Sequence, residues 1–561
     1  MSSFGKLFGF GAALHREMLH LQRNRAIGRA TAQRRADALA QQPSSPVQSD
    51  LDILFGVARG TFRERGDAHA FFGGDIVGQM FRDASQGTVM YGAMGGGKTA
   101  MLRSIAEQLA HRCDLAVVAM SAKPDDAQSL VEILWSGRHP NAPFADGAKS
   151  LGCTCENCQA KRRVYYISPG FDCIALFRGL TPARIGATFG ALAEDPTHPF
   201  WGASVEALVT AYMQLALGLE GESLVLEEQQ EQLDKDGAVV VPYSPAHTVE
   251  CRYSATSLAD MIYAEPRLFK LALKTASQRL QRFAESDPPR AGHLESALRY
   301  FTGEFQQDFA DRNTLGNVLA SLKPYLRPLT QPGIAETFGD GDLDIPSALD
   351  AGHCLIFGVN QAENPKAFEV TCALVLAHLH VVALARTGRD PAQNNPVVLL
   401  ADEYGSYASP KHTLLWETCR QAVICPYVSV ISLTNLAARV GEKAARSLPA
   451  SFGSLLCFRT GDAETRRYVT SLIGTIQSRE TATSTQIRGD ANVLSHVLGN
   501  AESTGTSERI VDRPIVADEI WSHLGIVPEH DGEPAHARCV AVVMQGGRQY
   551  RDVVMIPESI S

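Results

Sequence analysis

A glycine-rich segment, GAMGGGKT, runs from Gly92 to Thr99 and fits the pattern G-x-x-x-x-G-K-[ST]. A β-rich run, Gly87 to Tyr91, precedes it, and apolar residues at helical spacing follow it. In such a loop backbone N–H groups and a helix N-terminus hold phosphates. We predict that Lys98 reaches the β- and γ-phosphates of ATP and that the Thr99 hydroxyl ligates Mg²⁺. The remaining predicted nucleotide contacts are backbone positions of this loop: Gly92, Gly95, Gly96, Gly97 and Ala100.

Two acids follow an apolar run much later in the chain, at Val397 to Glu403 (VVLLADE). We expect Asp402, at the strand tip, to hold Mg²⁺ and Glu403 to act as general base towards the attacking water. Lys98 and Asp402 are 304 residues apart. Small-molecule kinases rarely insert so much between these parts, so the spacing favours a motor or assembly ATPase.

A third group of possible ligands is a C-x-C-x-x-C motif between two predicted strands, formed by Cys153, Cys155 and Cys158. Zn²⁺ prefers four soft ligands, and His139 is our first candidate for the fourth, with His111 and Cys113 as further options. Free surface thiols and redox chemistry remain open. The adjacent basic residues 161–163 either touch nucleic acid or form a solvated run.

Composition limits the class of protein. The chain has 561 residues, 45% hydrophobic and 20% charged, which predicts a soluble globular protein of two or three domains. A formal charge of −9 argues against nucleic acid over the whole surface but permits a local basic channel. Cysteines in apolar runs predict buried thiols in a reducing compartment. We expect a cytoplasmic protein without a transmembrane helix, and we interpret the apolar run Val370 to Ala385 as a buried helix.

Strands that alternate with helices predict an α/β fold with a parallel-rich sheet. We predict four parts: an apolar and basic N-terminal helix with a linker (1–50), the first part of a nucleotide-binding domain (51–180, with a Cys-rich insertion at 139–163), an all-α domain (181–334), and the second part of the nucleotide-binding domain (335–561). We expect a closing hairpin around Gln545, a flexible segment from Gln477 to Arg513 and a loop or helix end from Glu227 to Asp236.

Two surfaces could meet partners. The N-terminal helix is either a peripheral membrane anchor, a partner-binding helix or a solvated helix. Polar residues also recur every four positions in the predicted all-α domain, where they either contact DNA phosphates or form an exposed face: Lys270, Lys274, Gln278 and Arg282.

The order of five segments resembles a known family. They are GAMGGGKT, AKPDD at 122–126, HPFWGASVEALV at 198–209, LLADEYGSYAS, and FRTGDAETRRYVTSLIG at 458–474. This order looks like the TraG/TraD-like coupling proteins of type IV secretion and conjugation, which are related to FtsK and HerA motors, and the resemblance runs from about residue 80 to 530. It implies a RecA-like P-loop core with an inserted all-α domain and a hexameric ring. It also implies an ATPase, stimulated by DNA, that delivers DNA or nucleoprotein to secretion-channel components.

The resemblance also assigns residues. Lys98, Thr99, Asp402 and Glu403 match the family's nucleotide site. Arg420 matches an arginine that acts on the γ-phosphate across a subunit interface, and Arg459 is a second candidate for that role.

Two features depart from the family pattern. Ile431 occupies the position of a phosphate-sensing glutamine, with Thr434 and Asn435 shortly after it. The usual N-terminal transmembrane helices are not seen, which implies a membrane-anchored partner or anchoring through the N-terminal helix. Two alternatives therefore stay open: a nucleotide-binding recruitment subunit with weak turnover, and a soluble HerA/FtsK-like DNA motor unrelated to secretion.

Overall fold

A computed structural model of the chain describes residues 51–67, 69–112, 114–138, 163–194, 199–233, 239–241, 243–264, 266–309, 311–339, 341, 343–487, 502–527, 538–545 and 550–556. The predictions for the N-terminal helix and linker and for the cysteine motif with His139 and Cys113 lie outside the described residues.

The strands, in chain order, are β1 (Ile53–Ala58), β2 (Ile76–Gln79), β3 (Thr88–Tyr91), β4 (Ala116–Ser121), β5 (Val164–Ile167), β6 (Ser223–Leu226), β7 (Gln232–Leu233), β8 (Val239–Val241), β9 (His247–Glu250), β10 (Cys354–Gly358), β11 (Val397–Ala401), β12 (Ile424–Val430), β13 (Ser454–Cys457), β14 (Thr475–Ile487), β15 (Glu502–Pro514), β16 (Gly525–Val527), β17 (Arg538–Gln545) and β18 (Tyr550–Ile556).

The α-helices are α1 (Thr61–Glu64), α2 (Phe81–Ala84), α3 (Lys98–Ala110), α4 (Pro124–Arg138), α5 (Pro182–Ala193), α6 (Pro199–Gly218), α7 (Ala255–Ala259), α8 (Pro266–Ser286), α9 (Pro288–Arg299), α10 (Phe305–Asp308), α11 (Arg312–Leu326), α12 (Ile334–Gly339), α13 (Ile345–Asp350), α14 (Pro365–Arg386), α15 (Thr413–Ala422), α16 (Leu433–Val440), α17 (Glu442–Ala450), α18 (Ala463–Ile473) and α19 (Asp518–Ser522). Wider π-helical turns follow α7 and α9, at Asp260–Ala264 and Tyr300–Glu304.

One large sheet organises the described residues, in the order β2-β1-β18-β17-β13-β3-β12-β11-β4-β10-β5. The run from β13 to β5 is parallel, whereas β17, β18, β1 and β2 pair antiparallel at one side. The predicted α/β class with a parallel-rich sheet is confirmed. The β17–β18 pair lies where the sequence predicts a closing hairpin.

The parallel strands are apolar because helices cover both of their faces. Every residue of β4, β10, β11 and β12 is buried. Alternate residues of these strands contribute to two separate apolar clusters, such as Val397 and Leu399 on one face and Val398 and Leu400 on the other. Near-continuous apolar runs are the sequence signature of such doubly covered strands.

The sequence predicts an all-α domain at 181–334. The region is mostly helical, but it also contains two short pairs of strands. Strand β6 pairs with β9, and β7 pairs with β8, both antiparallel. In β6 the apolar Leu224 and Leu226 are buried, whereas Ser223 and Val225 are exposed. This two-residue alternation is the period of a half-buried strand, and it falls in a short segment between long helices. The predicted loop at 227–236 likewise includes β7.

The polar segment predicted to be flexible forms a long antiparallel hairpin in its described parts. Strand β14 pairs with β15 from Thr475 opposite Pro514 to Ile487 opposite Glu502. Serine, threonine and charged residues suggested flexibility, but threonine, isoleucine and valine also favour strands. Here the β propensity prevails over the polar composition.

The apolar run at 370–385 lies within α14, whose length and composition would suffice to cross a membrane. Of its most apolar 18-residue window, 72% is buried inside the protein. His378 within it is fully buried, with Nε2 2.8 Å from the Leu176 carbonyl oxygen. The helix therefore packs as a core helix, as the sequence predicts.

Candidate nucleotide-binding and hydrolysis site

The sheet topology brings the two predicted halves of the site to one edge. Strand β12 lies between β3 and β11, with Tyr91 opposite Val430 and Ala401 opposite Val428. Because these strands are parallel, the segments that follow β3 and β11 both leave from the carboxyl edge. This is the edge at which open α/β sheets bind ligands.

The glycine loop folds as the motif predicts. Gly95 and Gly97 have φ of 70° and 111°, a conformation that favours glycine, and Gly97 directly precedes α3. A Cβ on Gly96 would lie 2.9 Å from the Ala93 carbonyl oxygen. The Ala93 N–H donates to the Arg459 carbonyl at 2.9 Å, which ties the loop to the segment after β13. The loop thus wraps closely before the N-terminus of α3, where unpaired N–H groups attract anions.

Lys98 is the first residue of α3 and is 6% exposed. Its Nζ donates to the carbonyl oxygens of Gly92 at 2.6 Å and Ala93 at 3.1 Å, so the side chain curls over its own loop. Burial lowers the pKa of Lys98, while the charges of Glu403 and Asp402 act in the opposite direction. A buried cation with such carbonyl partners can exchange them for phosphate oxygens.

Thr99 and Asp402 meet across the edge of the sheet. The Thr99 hydroxyl donates to Asp402 Oδ2 at 3.3 Å, across 303 residues of sequence. Asp402 is 8% exposed, and the Ser429 hydroxyl donates a short hydrogen bond to its Oδ1. The Tyr407 hydroxyl donates to the Asp402 carbonyl oxygen at 3.0 Å. The carboxylate is therefore fixed in place and faces the threonine.

Glu403 adopts a left-handed backbone conformation with φ of 50°, which is uncommon for a non-glycine residue. Its N–H lies within 3.1 Å of both Asp402 Oδ1 and Ser429 Oγ. Burial raises the pKa of Glu403, the charge of Asp402 raises it further, and Lys98 and Lys123 lower it. A half-buried carboxyl group with a raised pKa is suited to accept a proton.

Sequence reasoning missed Ser429 and Lys123. Ser429 is the fully buried polar residue of the otherwise apolar β12, and a hydroxyl inside a covered strand was a signal for a fixed hydrogen bond. Lys123 is exposed after β4, and its positive charge lowers the pKa of both Lys98 and Glu403. This lysine belongs to the AKPDD segment at 122–126.

The two predicted arginines lie at opposite edges. Arg420 is exposed in the last turn of α15, before β12 begins. The seven residues of β12 separate it from the glycine loop by roughly 20 Å at about 3.3 Å per residue. Arg459 is exposed beside the loop, and it lines a groove of about 570 Å³ together with Gly95, Gly96 and Arg466.

The sensor position differs from its predicted setting. The strand expected at 428–433 instead spans Ile424–Val430, and Ile431 follows it, half-buried. The Thr434 hydroxyl donates to Asp462 Oδ1 at 2.8 Å. A Cβ on Gly405 would lie 2.6 Å from the Asn435 side-chain oxygen, so Asn435 packs against the turn that follows Glu403. Of the two polar residues, Asn435 is the one near the acids.

The residues present fit ATP and Mg²⁺. The glycine loop, the helix N-terminus and Lys98 supply phosphate-binding groups, and Thr99 with Asp402 supplies hard oxygen ligands. Among the described residues no group of three or more His, Cys, Asp or Glu side chains is placed to hold another metal ion. The cysteines in this part of the chain are free thiols, and Cys354, Cys372 and Cys457 are buried as predicted.

Known proteins share the fold of this chain, and a family model matches part of its sequence. The family model described as the TraM recognition site of TraD and TraG matches residues 396–521, which include both acids. The bacterial conjugative coupling protein TrwBdeltaN70 in complex with sulphate has a TM-score of 0.53 and 17% sequence identity, over 93% of this chain and 96% of that chain. TrwB with a non-hydrolysable GTP analogue has a TM-score of 0.51 and 18% identity, over 91% and 95%.

TrwB with a non-hydrolysable ATP analogue has a TM-score of 0.50 and 17% identity, over 91% of this chain and 95% of that chain. No curated protein sequence matches the chain. The likeness to TrwB establishes the RecA-like P-loop fold, and the match at 396–521 carries the link to TraD and TraG. The chain is therefore similar to TraD and TraG over residues 396–521, and its RecA-like P-loop core has the fold of the TrwB coupling protein.

Proposed function

We propose that this chain is an ATP-hydrolysing coupling protein, which recruits DNA or nucleoprotein and delivers it to a type IV secretion machine. The contact of Thr99 with Asp402 carries the proposal, because it joins the phosphate loop to the acid pair in one site. The TraD and TraG family match over the segment that holds those acids, and the fold shared with a conjugative coupling protein, support the coupling role.

The residues divide the work of hydrolysis. Backbone N–H groups of the glycine loop and the Lys98 ammonium bind the phosphates. To do so, Lys98 exchanges its bonds to the two loop carbonyls for bonds to phosphate oxygens. Thr99 and Asp402 hold Mg²⁺, which when bound neutralises phosphate charge. Glu403 accepts a proton from the attacking water, and its raised pKa favours that transfer. Ser429 keeps Asp402 oriented.

A ring completes the site in this proposal. Arg420 lies at the opposite edge of the sheet from its own glycine loop, so it contributes to hydrolysis only across a subunit interface. Such an arginine stabilises charge on the γ-phosphate and makes turnover depend on assembly. We therefore propose a hexameric homo-oligomer at the cytoplasmic side of the membrane, with secretion-channel components and a membrane-anchored protein as partners.

The test is ATP hydrolysis by the full chain against protein concentration, with and without DNA. Turnover per subunit should rise cooperatively with concentration and increase with DNA. Arg420→Ala should remove the cooperative rise while nucleotide binding persists, whereas Arg446→Ala, on the exposed side of α17, should not. A rate per subunit that is independent of concentration, with Arg420→Ala fully active, would contradict the shared site.

Glu403→Gln separates hydrolysis from binding. We expect this variant to bind ATP but to lose at least about a hundredfold in turnover. The glutamine side chain has the size of glutamate but cannot accept the proton from water. The matched change Glu417→Gln, on an exposed face of α15, should leave the rate unchanged. Full turnover in Glu403→Gln would remove the assigned base.

Ile431 favours a second candidate, a nucleotide-binding recruitment subunit with weak turnover. An aliphatic side chain offers no hydrogen bond to a phosphate, and the nearby Thr434 hydroxyl is bonded to Asp462. If DNA and high protein concentration leave turnover very slow while ATP binds tightly, this candidate replaces the first.

Transfer of a conjugative substrate in cells that carry the chain, but not in cells with Lys98→Ala, would argue against a motor unrelated to secretion.

We also propose a structural Zn²⁺ at Cys153, Cys155 and Cys158, with His139 as the fourth ligand. The proposal rests on the motif spacing in the sequence. Elemental analysis of the purified chain should find one zinc per subunit, which is lost in Cys155→Ser. A chain free of zinc after purification without chelators would contradict it.

A further inference from the structure

A cavity of about 290 Å³ lies where the inserted helices meet the α/β core. Helices α5 and α14 face each other there, and the segment after Glu403 closes one side. Small side chains on the two helices leave the space open, at Ala187, Ala191, Ala373 and Ala377. Leucines complete an apolar wall, so the cavity has the character of a pocket for a small molecule.

Arg184 on α5 supplies the cavity with an unbalanced positive charge. Its Nη1 lies 2.8 Å from His380 Nδ1. A guanidinium only donates hydrogen bonds, so Nδ1 accepts and the proton of the neutral ring is on Nε2. Within the described residues Arg184 forms no ion pair with a carboxylate.

His412 presents a second ring of the same kind. Its Nδ1 accepts from the Ser409 N–H at 3.3 Å, which again leaves the proton of the neutral ring on Nε2. Burial lowers the pKa of His380 and of His412, to about 4 and about 3 respectively. Both rings are therefore neutral donors at neutral pH.

The acceptors do not match these donors. Glu206 is the one carboxylate among the residues that line the cavity, and the Lys411 ammonium already binds it at 2.9 Å. Arg439, at the cavity wall, lies 3.6 Å from Glu369. The remaining side-chain donors, which are the Arg184 guanidinium and two imidazole N–H groups, have no anion to bind in the described chain.

We propose that this cavity binds a small organic anion, with its carboxylate or phosphate head held by Arg184, His380 and His412 and its short aliphatic body against the alanines and leucines. The inference does not rest on ATP hydrolysis, because it concerns a cavity that the nucleotide residues do not line. An occupant would contact both α5 and the segment that follows Glu403, so it would hold the inserted helices against the core.

The test is calorimetric binding to the nucleotide-free full chain with four probes. Hexanoate and hexyl phosphate carry both the head and the body, inorganic phosphate has no body, and hexanol has no charge. We expect saturable binding of hexanoate, of hexyl phosphate or of both, and weaker binding of the other two probes. The stronger of the first two identifies the head group. Equal affinity for hexanol, or no saturable binding of either anion, would overturn the proposal.

Two variants locate the binding. Arg184→Gln should weaken it by at least about tenfold, since charge-assisted hydrogen bonds are lost. Ala377→Leu should abolish it by filling the space, and it keeps every charge. Arg446→Gln makes the same change as the first variant at an exposed arginine outside the cavity, and it should bind normally. Unchanged binding in Ala377→Leu, or in folded Arg184→Gln, would place the anion elsewhere and overturn the assignment.

Discussion

Buried cations occur at both edges of the central sheet, and their partners differ in kind. At the carboxyl edge Lys98 is bonded to carbonyl oxygens of the glycine loop that precedes it. At the amino edge Arg138 and Arg386 are almost completely buried. Arg138 donates to the carbonyls of Arg112, Leu115 and Gly352.

Arg386 binds Asp350 at 2.7 Å and donates to the carbonyls of Asn395 and Ala422. Each arginine thus joins segments that are distant in sequence, whereas Lys98 bonds to its own loop. A cation whose partners are local can exchange them for a ligand, but one that joins the fold cannot. Burial alone therefore does not distinguish a binding residue from a structural one, and the partners do.

The largest expected effect is on turnover, from Lys98→Ala. We expect hydrolysis to fall by at least about a hundredfold, because a preorganised positive group at the phosphates is lost. The free energy of unfolding should change less than in a variant of a buried arginine, since the Ala93 carbonyl lines the groove and can bind water. Steady-state hydrolysis and urea unfolding measure the two quantities. A variant that unfolds easily would make Lys98 a structural residue like the arginines.

The converse is expected of Arg386→Met. Its loss leaves the carbonyls of Asn395 and Ala422 without a buried donor, so the free energy of unfolding should fall by about 2–4 kcal/mol. ATP affinity of the folded fraction should be unchanged, because the residue lies at the far edge. Arg389→Met is the matched control, since Arg389 is exposed. Normal stability with lost ATP binding in Arg386→Met would reverse the comparison.

A smaller effect is expected from Ser429→Ala, which removes the hydrogen bond that orients Asp402. Residues that orient metal ligands typically contribute about 10- to 100-fold in metal affinity. We expect the Mg²⁺ concentration for half-maximal hydrolysis to rise by that factor, with a smaller change at saturating Mg²⁺. An unchanged Mg²⁺ requirement would mean that Asp402 keeps its position without the serine.

The smallest effect is a pH dependence of stability at Glu403. Burial raises the pKa of this carboxyl group, so the folded state binds its proton more tightly than the unfolded state does. Its ionisation therefore destabilises the fold as pH rises from the ordinary carboxyl pKa through the raised one. Glu403→Gln should be more stable than the parent at neutral pH, and the difference should shrink on acidification. A difference that grows on acidification would contradict the raised pKa.

Sequence alone predicted the parts of the fold that local patterns encode. The glycine loop, the apolar strands and the acids after β11 follow from spacing, and their meeting follows from parallel strands. The polar composition of the segment from Gln477 to Arg513 suggested a flexible segment, so the strands β14 and β15 were not predicted. The β6–β9 pair was missed because its strands are short. The partners of Ser429, Arg138 and Arg386 come from distant segments, and no local pattern specifies such contacts.

The central claim is that the glycine loop and the acids from 303 residues downstream form one Mg²⁺–nucleotide site. A double-mutant cycle of Thr99→Val and Asp402→Asn tests it, with the dissociation constant of Mg²⁺–ATP measured in Glu403→Gln to prevent turnover. We predict that either change weakens binding and that the second adds little to the first, because both act on one ion. Effects that add in full, or an Asp402→Asn variant with normal Mg²⁺–ATP affinity, would contradict the account.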